Sequence, residues 1–134
     1  MKLFVKDIEK QKNTMIEIGV PYFGYSAESF LNDYLEKGEN ESGYSYFGCS
    51  FKDKLVGYLL LSIVEDEAEI VQIAVKKECR GKGFSSILMN EVFNYCEQVC
   101  VKSIFLEVRA SNFTALSLYK KNGFIQIGVR KGYY

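Results

Sequence analysis

The 134-residue sequence contains no histidine, a single proline and no net charge, because 17 Lys and Arg balance 17 Asp and Glu. Without histidine there is no Ser-His or Cys-His nucleophilic machinery, and acid-base chemistry must rest on Glu, Asp, Tyr, Lys or Cys. Zero net charge argues against a nucleic-acid surface built on bulk charge, so no direct nucleic-acid binding is expected. No apolar run is long enough to span a bilayer, and the opening MKLFVKDIEK lacks the long apolar core of a signal peptide. The expected location is the cytoplasm, away from membranes. Cys49, Cys79, Cys96 and Cys100 form no Cys-x-x-Cys pair, and with no histidine to join them a metal site is not expected. Cys96 and Cys100 lie four apart on an expected helix and read as half-buried thiols in a reducing compartment.

Apolar residues make up 48% of the chain and aromatics 15%, which suits a globular core. The length fits one domain over residues 1–134 and is too short for two dinucleotide-binding halves, so one continuous sheet is expected. Leu3 to Val5 suggests a short edge strand. A first helix follows, capped by Asp7, carrying Ile8, Met15 and Ile16, and stopped by Pro21. Ser26 caps a second helix with Ala27, Phe30, Leu31, Tyr34 and Leu35 at helical spacing, and Glu36 to Ser42 reads as a solvated loop. Tyr44–Phe51, Lys54–Val64 and Ala68–Val75 form an antiparallel meander. A helix from about Phe84 to Val99 buries Ile87, Leu88, Val92, Tyr95, Cys96 and Val99. A parallel strand, Ser103 to Arg109, puts Ile104, Leu106 and Val108 on one face and Phe105, Glu107 and Arg109 on the other. Ser111 or Asn112 caps a last helix ended by Asn122-Gly123, and Phe124 to Val129 is a final strand. The class is α+β around a mixed sheet.

The chain is organised around Ile70 to Met89, where a β-branched run, two glycines one residue apart and a helical pattern follow in turn. Such a turn sets free backbone N–H groups at a helix N-terminus, where an anion can satisfy them. A side chain on residue 81 or 83 would obstruct the anion or forbid a positive φ. A Walker A loop is excluded, because Lys82 is followed by glycine. Gly81-Lys82-Gly83 begins a dinucleotide fingerprint, with Glu107 near the end of the next strand, but Ser86 stands where its third glycine belongs. The plain alternative is an ordinary glycine turn.

The third reading comes from a resemblance. Arg80, Gly83 and Ser85 match the Arg-x-x-Gly-x-Gly/Ala pyrophosphate loop of the GNAT superfamily of N-acetyltransferases. Leu106-Glu107-Val108-Arg109-Ala110-Ser111-Asn112, with Ala115, Leu118-Tyr119, Gly123-Phe124 and the ending Arg130-Lys131-Gly132-Tyr133-Tyr134, resembles the bacterial ribosomal-protein-alanine N-acetyltransferases of the RimI type. Phe23-Gly24-Tyr25-Ser26 is similar to that family's Phe-Pro-Trp-Ser, with glycine and tyrosine replacing proline and tryptophan. The resemblance implies a GNAT fold with splayed central strands and about four helices, acetyl-CoA as donor, and direct transfer to a protein's N-terminal α-amine, with a ribosomal protein as partner. It implies that main-chain groups of Ile73, Ala74 and Val75 pair with the pantetheine arm, and that Arg80, Gly81, Lys82, Gly83, Phe84 and Ser85 hold the pyrophosphate. By the same resemblance Asn112 is expected to contact the cofactor, Glu107 is the candidate general base and Tyr119 the candidate general acid. By spacing alone, Glu107 could equally pair with Arg109, and Tyr119 could be core beside Ala115 and Leu118. Transfer to small amines or lysine side chains, and a non-catalytic acetyl-CoA-binding module, are the rival readings.

The family's last strand follows its Tyr-Tyr, where this sequence stops. One strand is therefore expected to be absent, leaving a gap between Ser103–Arg109 and Phe124–Val129. The final strand can slide inward, water can fill the gap, or a second copy can lend a strand as a homodimer.

Overall fold

A computed structural model describes residues 1–108 and 111–126. The elements run β1 (Lys2–Leu3), α1 (Val5–Phe23), α2 (Ser26–Ser42), β2 (Tyr44–Phe51), β3 (Lys54–Val64), β4 (Glu67–Val75), a 3-10 turn (Lys77–Cys79), α3 (Phe84–Gln98), β5 (Ser103–Leu106) and α4 (Phe113–Lys121). The sheet order is β1-β2-β3-β4-β5, with every pair antiparallel except the parallel β4 and β5. α3 supplies the crossover that a parallel pair requires. None of the helices among the described residues is long and apolar enough to cross a membrane.

Both faces of the sheet are covered, which is why Leu55 to Leu61 is buried without interruption instead of alternating. On one face Ile8, Met15 and Ile18 of α1 and Leu31 and Tyr34 of α2 pack against Tyr46, Tyr58 and Leu60. On the other, Leu88, Met89, Val92 and Cys96 of α3 meet Phe47, Leu59, Leu61 and Ile70, with Tyr119 and Phe124 against the edge of that layer. Ile87 and Val99, expected in the buried stripe, are 47% and 45% exposed. Leu88, Val92 and Cys96 are buried as expected and Met89 joins them, whereas Val99 lies past the end of α3 at Gln98.

Buried polar groups form a chain across the first layer. The Tyr58 hydroxyl donates to Gln72 Oε1 at 3.0 Å, Gln72 Nε2 donates to Ser26 Oγ at 3.3 Å, and Ser26 Oγ donates to the Phe23 carbonyl at 2.9 Å. Gln72 is only 3% exposed, so each of these bonds matters to a group that has lost water. Gly19 makes room for the arrangement: a Cβ there would lie 2.2 Å from the Tyr58 hydroxyl and 2.9 Å from Ala27 Cβ. Alanine would gain about 1 kcal/mol in helix propensity but meet an overpacking cost of about 1–3 kcal/mol and disturb the Tyr58–Gln72 bond. Gly19→Ala is therefore expected to destabilise the chain by a net amount of about 1–2 kcal/mol. A denaturation midpoint equal to that of the unsubstituted chain would contradict this.

Several expectations need correction. Pro21 does not stop α1, which continues to Phe23. In the last turn a proline forfeits a single hydrogen bond, and the helix is closed by the Gly24 N–H on the Val20 carbonyl at 2.9 Å. Asp7 lies inside the helix, and its carboxylate caps backwards by accepting from Phe4 N–H at 2.8 Å. Ser26 is already the first residue of α2, with Tyr25 before it. Glu36 to Ser42 is helical, broken at Gly38 (φ 80°, ψ 175°), because Glu39 is drawn in by an ion pair with Lys2 and a hydrogen bond from Ser45 Oγ at 2.9 Å. β1 is shorter than expected and ends at Leu3. β5 ends at Leu106, with Glu107 and Val108 beyond it, and Arg109 lies outside the described residues. Phe124 to Gln126 carry no strand; the rest of the expected final strand, and the gap argument built on it, fall outside the described residues.

Candidate active site

The parallel pairing of β4 with β5 is short, from Glu67 opposite Ser103 to Ile70 opposite Leu106. Beyond Ile70 the two strands part, as expected for splayed central strands. On its other edge β4 stays paired, with Ile73 opposite Leu59 and Val75 opposite Gly57. The Lys76 N–H donates to the Val56 carbonyl at 2.8 Å, which makes the flanking Gly57–Val75 pair a non-hydrogen-bonded one. The main-chain groups of Ile73 and Val75 therefore face the fork, whereas those of Ala74 are engaged with β3. Of Ile73, Ala74 and Val75, only the first and last turn main-chain groups toward the fork, and Ala74 faces β3.

Val75 leads through the 3-10 turn into Arg80, Gly81, Lys82 and Gly83, and α3 begins at Phe84. Gly81 and Gly83 have φ of 74° and 86°, and a Cβ at either would meet nothing within 4 Å. It is the positive φ, not crowding within the chain, that requires glycine at these two positions. The N–H groups of Phe84, Ser85 and Ser86 open the helix, and the first intrahelical bond comes from Ile87 N–H to the Gly83 carbonyl at 3.1 Å. The Phe84 ring is anchored on Phe51, 6.0 Å between centroids, so this residue can offer a ligand its main chain while its side chain fixes the turn to the β2–β3 hairpin. Lys82 is exposed.

Arg80 is oriented by a residue that the sequence reading assigned no role. Its Nε–H donates to the Tyr22 hydroxyl at 2.6 Å, its guanidinium carbon lies 4.8 Å from the centre of the Tyr22 ring, and that hydroxyl donates to the Val75 carbonyl at 2.6 Å. Tyr22 comes from the last turn of α1, beside Pro21. No periodicity links it to an arginine far along the chain.

Glu107 is exposed, one residue past the end of β5 where the fork opens. Tyr119 is half-buried on α4, its ring 6.0 Å from that of Phe124 at 70°, and burial pushes its hydroxyl above the ordinary phenol range. Asn112 caps α4 by accepting from the Ala115 N–H at 3.1 Å, which leaves its amide N–H groups for other partners. α4 is also tied to the start of α3 through Asn122 Nδ2 donating to Ser86 Oγ at 3.5 Å. The structure thus gathers Ile73, Val75, Arg80, Gly81, Gly83, Phe84 and Ser85 along one continuous path. Glu107 stands at its fork, and Asn112 and Tyr119 stand on the helix that follows. Among the described residues no group of three His, Cys, Asp or Glu could hold a metal. A shallow depression of about 280 Å³ between Phe93, Ile104 and Phe124 is a separate feature near the described end of the chain.

The sequence and the fold resemble those of known proteins. The sequence profile described as the Acetyltransferase (GNAT) family matches residues 12–124. A Bacillus subtilis (strain 168) protein named "Putative ribosomal protein bS18-alanine N-acetyltransferase" is 36% identical over 111 residues, covering 82% of this chain and 70% of its own length. The ribosomal protein bS18-alanine N-acetyltransferase of Escherichia coli (strain K12) is 30% identical over 112 residues, 84% of this chain and 72% of that one. The crystal structure of the Escherichia coli ribosomal-protein-S18-alanine N-acetyltransferase superposes with a TM-score of 0.81 at 27% identity, over 100% of this chain and 81% of that chain. The PaiA N-acetyltransferase of Thermoplasma acidophilum, solved in complex with coenzyme A, shares the fold with a TM-score of 0.73 at 19% identity, over 98% of this chain and 91% of that one. The chain thus belongs to the GNAT acetyltransferase family, as an acetyl-CoA-dependent N-acetyltransferase.

Proposed function

We propose that the chain transfers the acetyl group of acetyl-CoA directly to the N-terminal α-amine of a protein, with the N-terminal alanine of a ribosomal protein as acceptor. The observation that carries this reading is the fork. The main-chain N–H and carbonyl of Ile73 and the N–H of Val75, whose carbonyl is taken by the Tyr22 hydroxyl, face the space that β5 vacates, and that path runs into a turn whose free N–H groups and arginine suit a diphosphate. An amide-bearing arm that ends in a diphosphate fits both halves at once. The names of the relatives support the acceptor class.

In this reading Arg80, Lys82 and the N–H groups around Gly81, Gly83, Phe84 and Ser85 bind the diphosphate, and Ser85 costs little because its main chain does the binding. Asn112 offers its amide to the same ligand. Bound acetyl-CoA supplies the activated acyl group. An α-amine titrates near ~8 and a lysine near ~10.4, so an N-terminal acceptor needs only a modest base. Glu107, exposed at the fork, takes that proton through water. Tyr119 is kept protonated by burial and holds the proton destined for the leaving sulfur.

The test is incubation with acetyl-CoA and a panel of N-terminal peptides, lysine peptides and polyamines, read by mass spectrometry. Acetylation at the α-amine of alanine-initiated peptides is expected. Modification confined to lysine or polyamines would replace the acceptor assignment, and binding of acetyl-CoA without any product would reduce the chain to a binding module.

A further inference from the structure

We propose that Tyr22 is a positioning residue that sets Arg80 for anion binding from the end of α1. This rests on the reading of the turn as the diphosphate site. A phenol has one donor and two acceptor lone pairs. Here the donor is spent on the Val75 carbonyl and one lone pair on Arg80 Nε, each at 2.6 Å, while the ring lies 4.8 Å beneath the guanidinium carbon. These contacts fix the guanidinium in two senses: the hydroxyl sets where Nε points, and the ring face sets the plane. With Nε engaged, the four N–H groups on the two terminal nitrogens remain for an anion, in the fork geometry that suits phosphate oxygens. A freely rotating arginine would have to give up side-chain entropy on binding, and an arginine already held gives up less.

The anchor of this arrangement is the strand itself. Val75 is the last residue of β4, and the Tyr22 hydroxyl occupies its carbonyl on the fork side, leaving the groups of Ile73 for an amide arm. Tyr22 opens the segment Tyr22 to Ser26, whose far end is tied to β4 as well, since Gln72 Nε2 donates to Ser26 Oγ. The α1–α2 junction is therefore pinned to β4 at two points. Tyr22 is 39% exposed, so its contacts are surface contacts and their loss leaves the core intact.

Tyr22→Phe keeps the ring and removes the hydroxyl. It is expected to raise the Kd for coenzyme A about tenfold by calorimetry, with an unchanged melting temperature. The KM for acetyl-CoA should rise to match while kcat is kept, and the KM for S-acetyl-pantetheine, which carries no diphosphate, should not move. In an Arg80→Ala background the same substitution should change the Kd less than twofold. Arg80→Lys retains the charge without the Nε donor and should lose about as much affinity as Tyr22→Phe. This second variant decides the matter if Tyr22→Phe fails to fold. Wild-type Kd in Tyr22→Phe, full additivity with Arg80→Ala, or an equal loss for S-acetyl-pantetheine would each overturn the role of Tyr22. An unsubstituted chain that does not bind coenzyme A would instead overturn the reading of the turn, and with it this role.

Discussion

Gly83→Val is expected to lower coenzyme A affinity by a factor on the order of 100 or more while the chain still unfolds cooperatively. Gly83 caps α3 at φ 86° and ψ 5°, a left-handed conformation that a β-branched residue adopts only at a cost of about 1–3 kcal/mol. The cheapest relief is to rotate the flanking peptides toward negative φ. That rotation turns the N–H groups opening α3 away from the space they share, and anion binding depends on their convergence. The fold itself has room for the side chain, since a Cβ at this position meets nothing within 4 Å. Gly83→Ala carries the smaller strain of an unbranched residue and should lose roughly tenfold. Calorimetric titration beside a thermal melt separates the two effects. Unchanged affinity with an intact melt would remove the turn from the binding site.

If the proposed roles hold, Glu107→Gln and Tyr119→Phe should each lower turnover by a factor on the order of 100 with the coenzyme A Kd nearly kept, because each would remove a proton-transfer group and little volume. The two differ in how their surroundings act on them. Glu107 is open to solvent, which suits exchange of a proton through water. Tyr119 is held in its neutral form by burial, so its loss should scale the rate without reshaping the pH profile below about pH 9. The sign of the linked stability follows. With a folded pKa above the unfolded value near ~10, the stabilisation tied to neutral Tyr119 is fully present below that pH and is lost as the pH rises through the folded value. Turnover equal to that of the unsubstituted chain in both variants would return the residues to the alternatives of a surface ion pair and an apolar stripe.

What the sequence made legible tracks how local the governing physics is. β2 and β3 were read with their observed bounds because β-branched and aromatic residues run between turn residues, and α3 starts at Phe84 because Gly83 marks its left-handed cap. Of the two cap candidates for α4, Ser111 and Asn112, the structure uses Asn112. The misreadings arose where distant groups overrode a local signal. Proline suggested a helix end, yet α1 loses only one bond to it; the acidic stretch after Leu35 suggested a solvated loop, yet Lys2 and Ser45 draw Glu39 into place. Tyr22 beside Arg80 is the clearest instance, since one is an aromatic at a helix end, the other a cation in a glycine turn, and only the folded sheet brings them together. The division of labour between Ile73, Val75 and Ala74 likewise depends on strand register, which a single strand's residues do not reveal.

The brevity of the β4–β5 pairing bears on the order in which this chain can be assembled. β2, β3 and β4 are joined by turns of two residues, so their ladders close small loops, whereas β5 can find β4 only after the whole of α3 has been laid down between them. A nucleus drawn from the meander is therefore favoured on entropic grounds, and β5 arrives late, paired over only four residues. Among the described residues the edge of β4 past Ile70 faces no strand, and on this order of assembly its shape is set by the meander before β5 arrives.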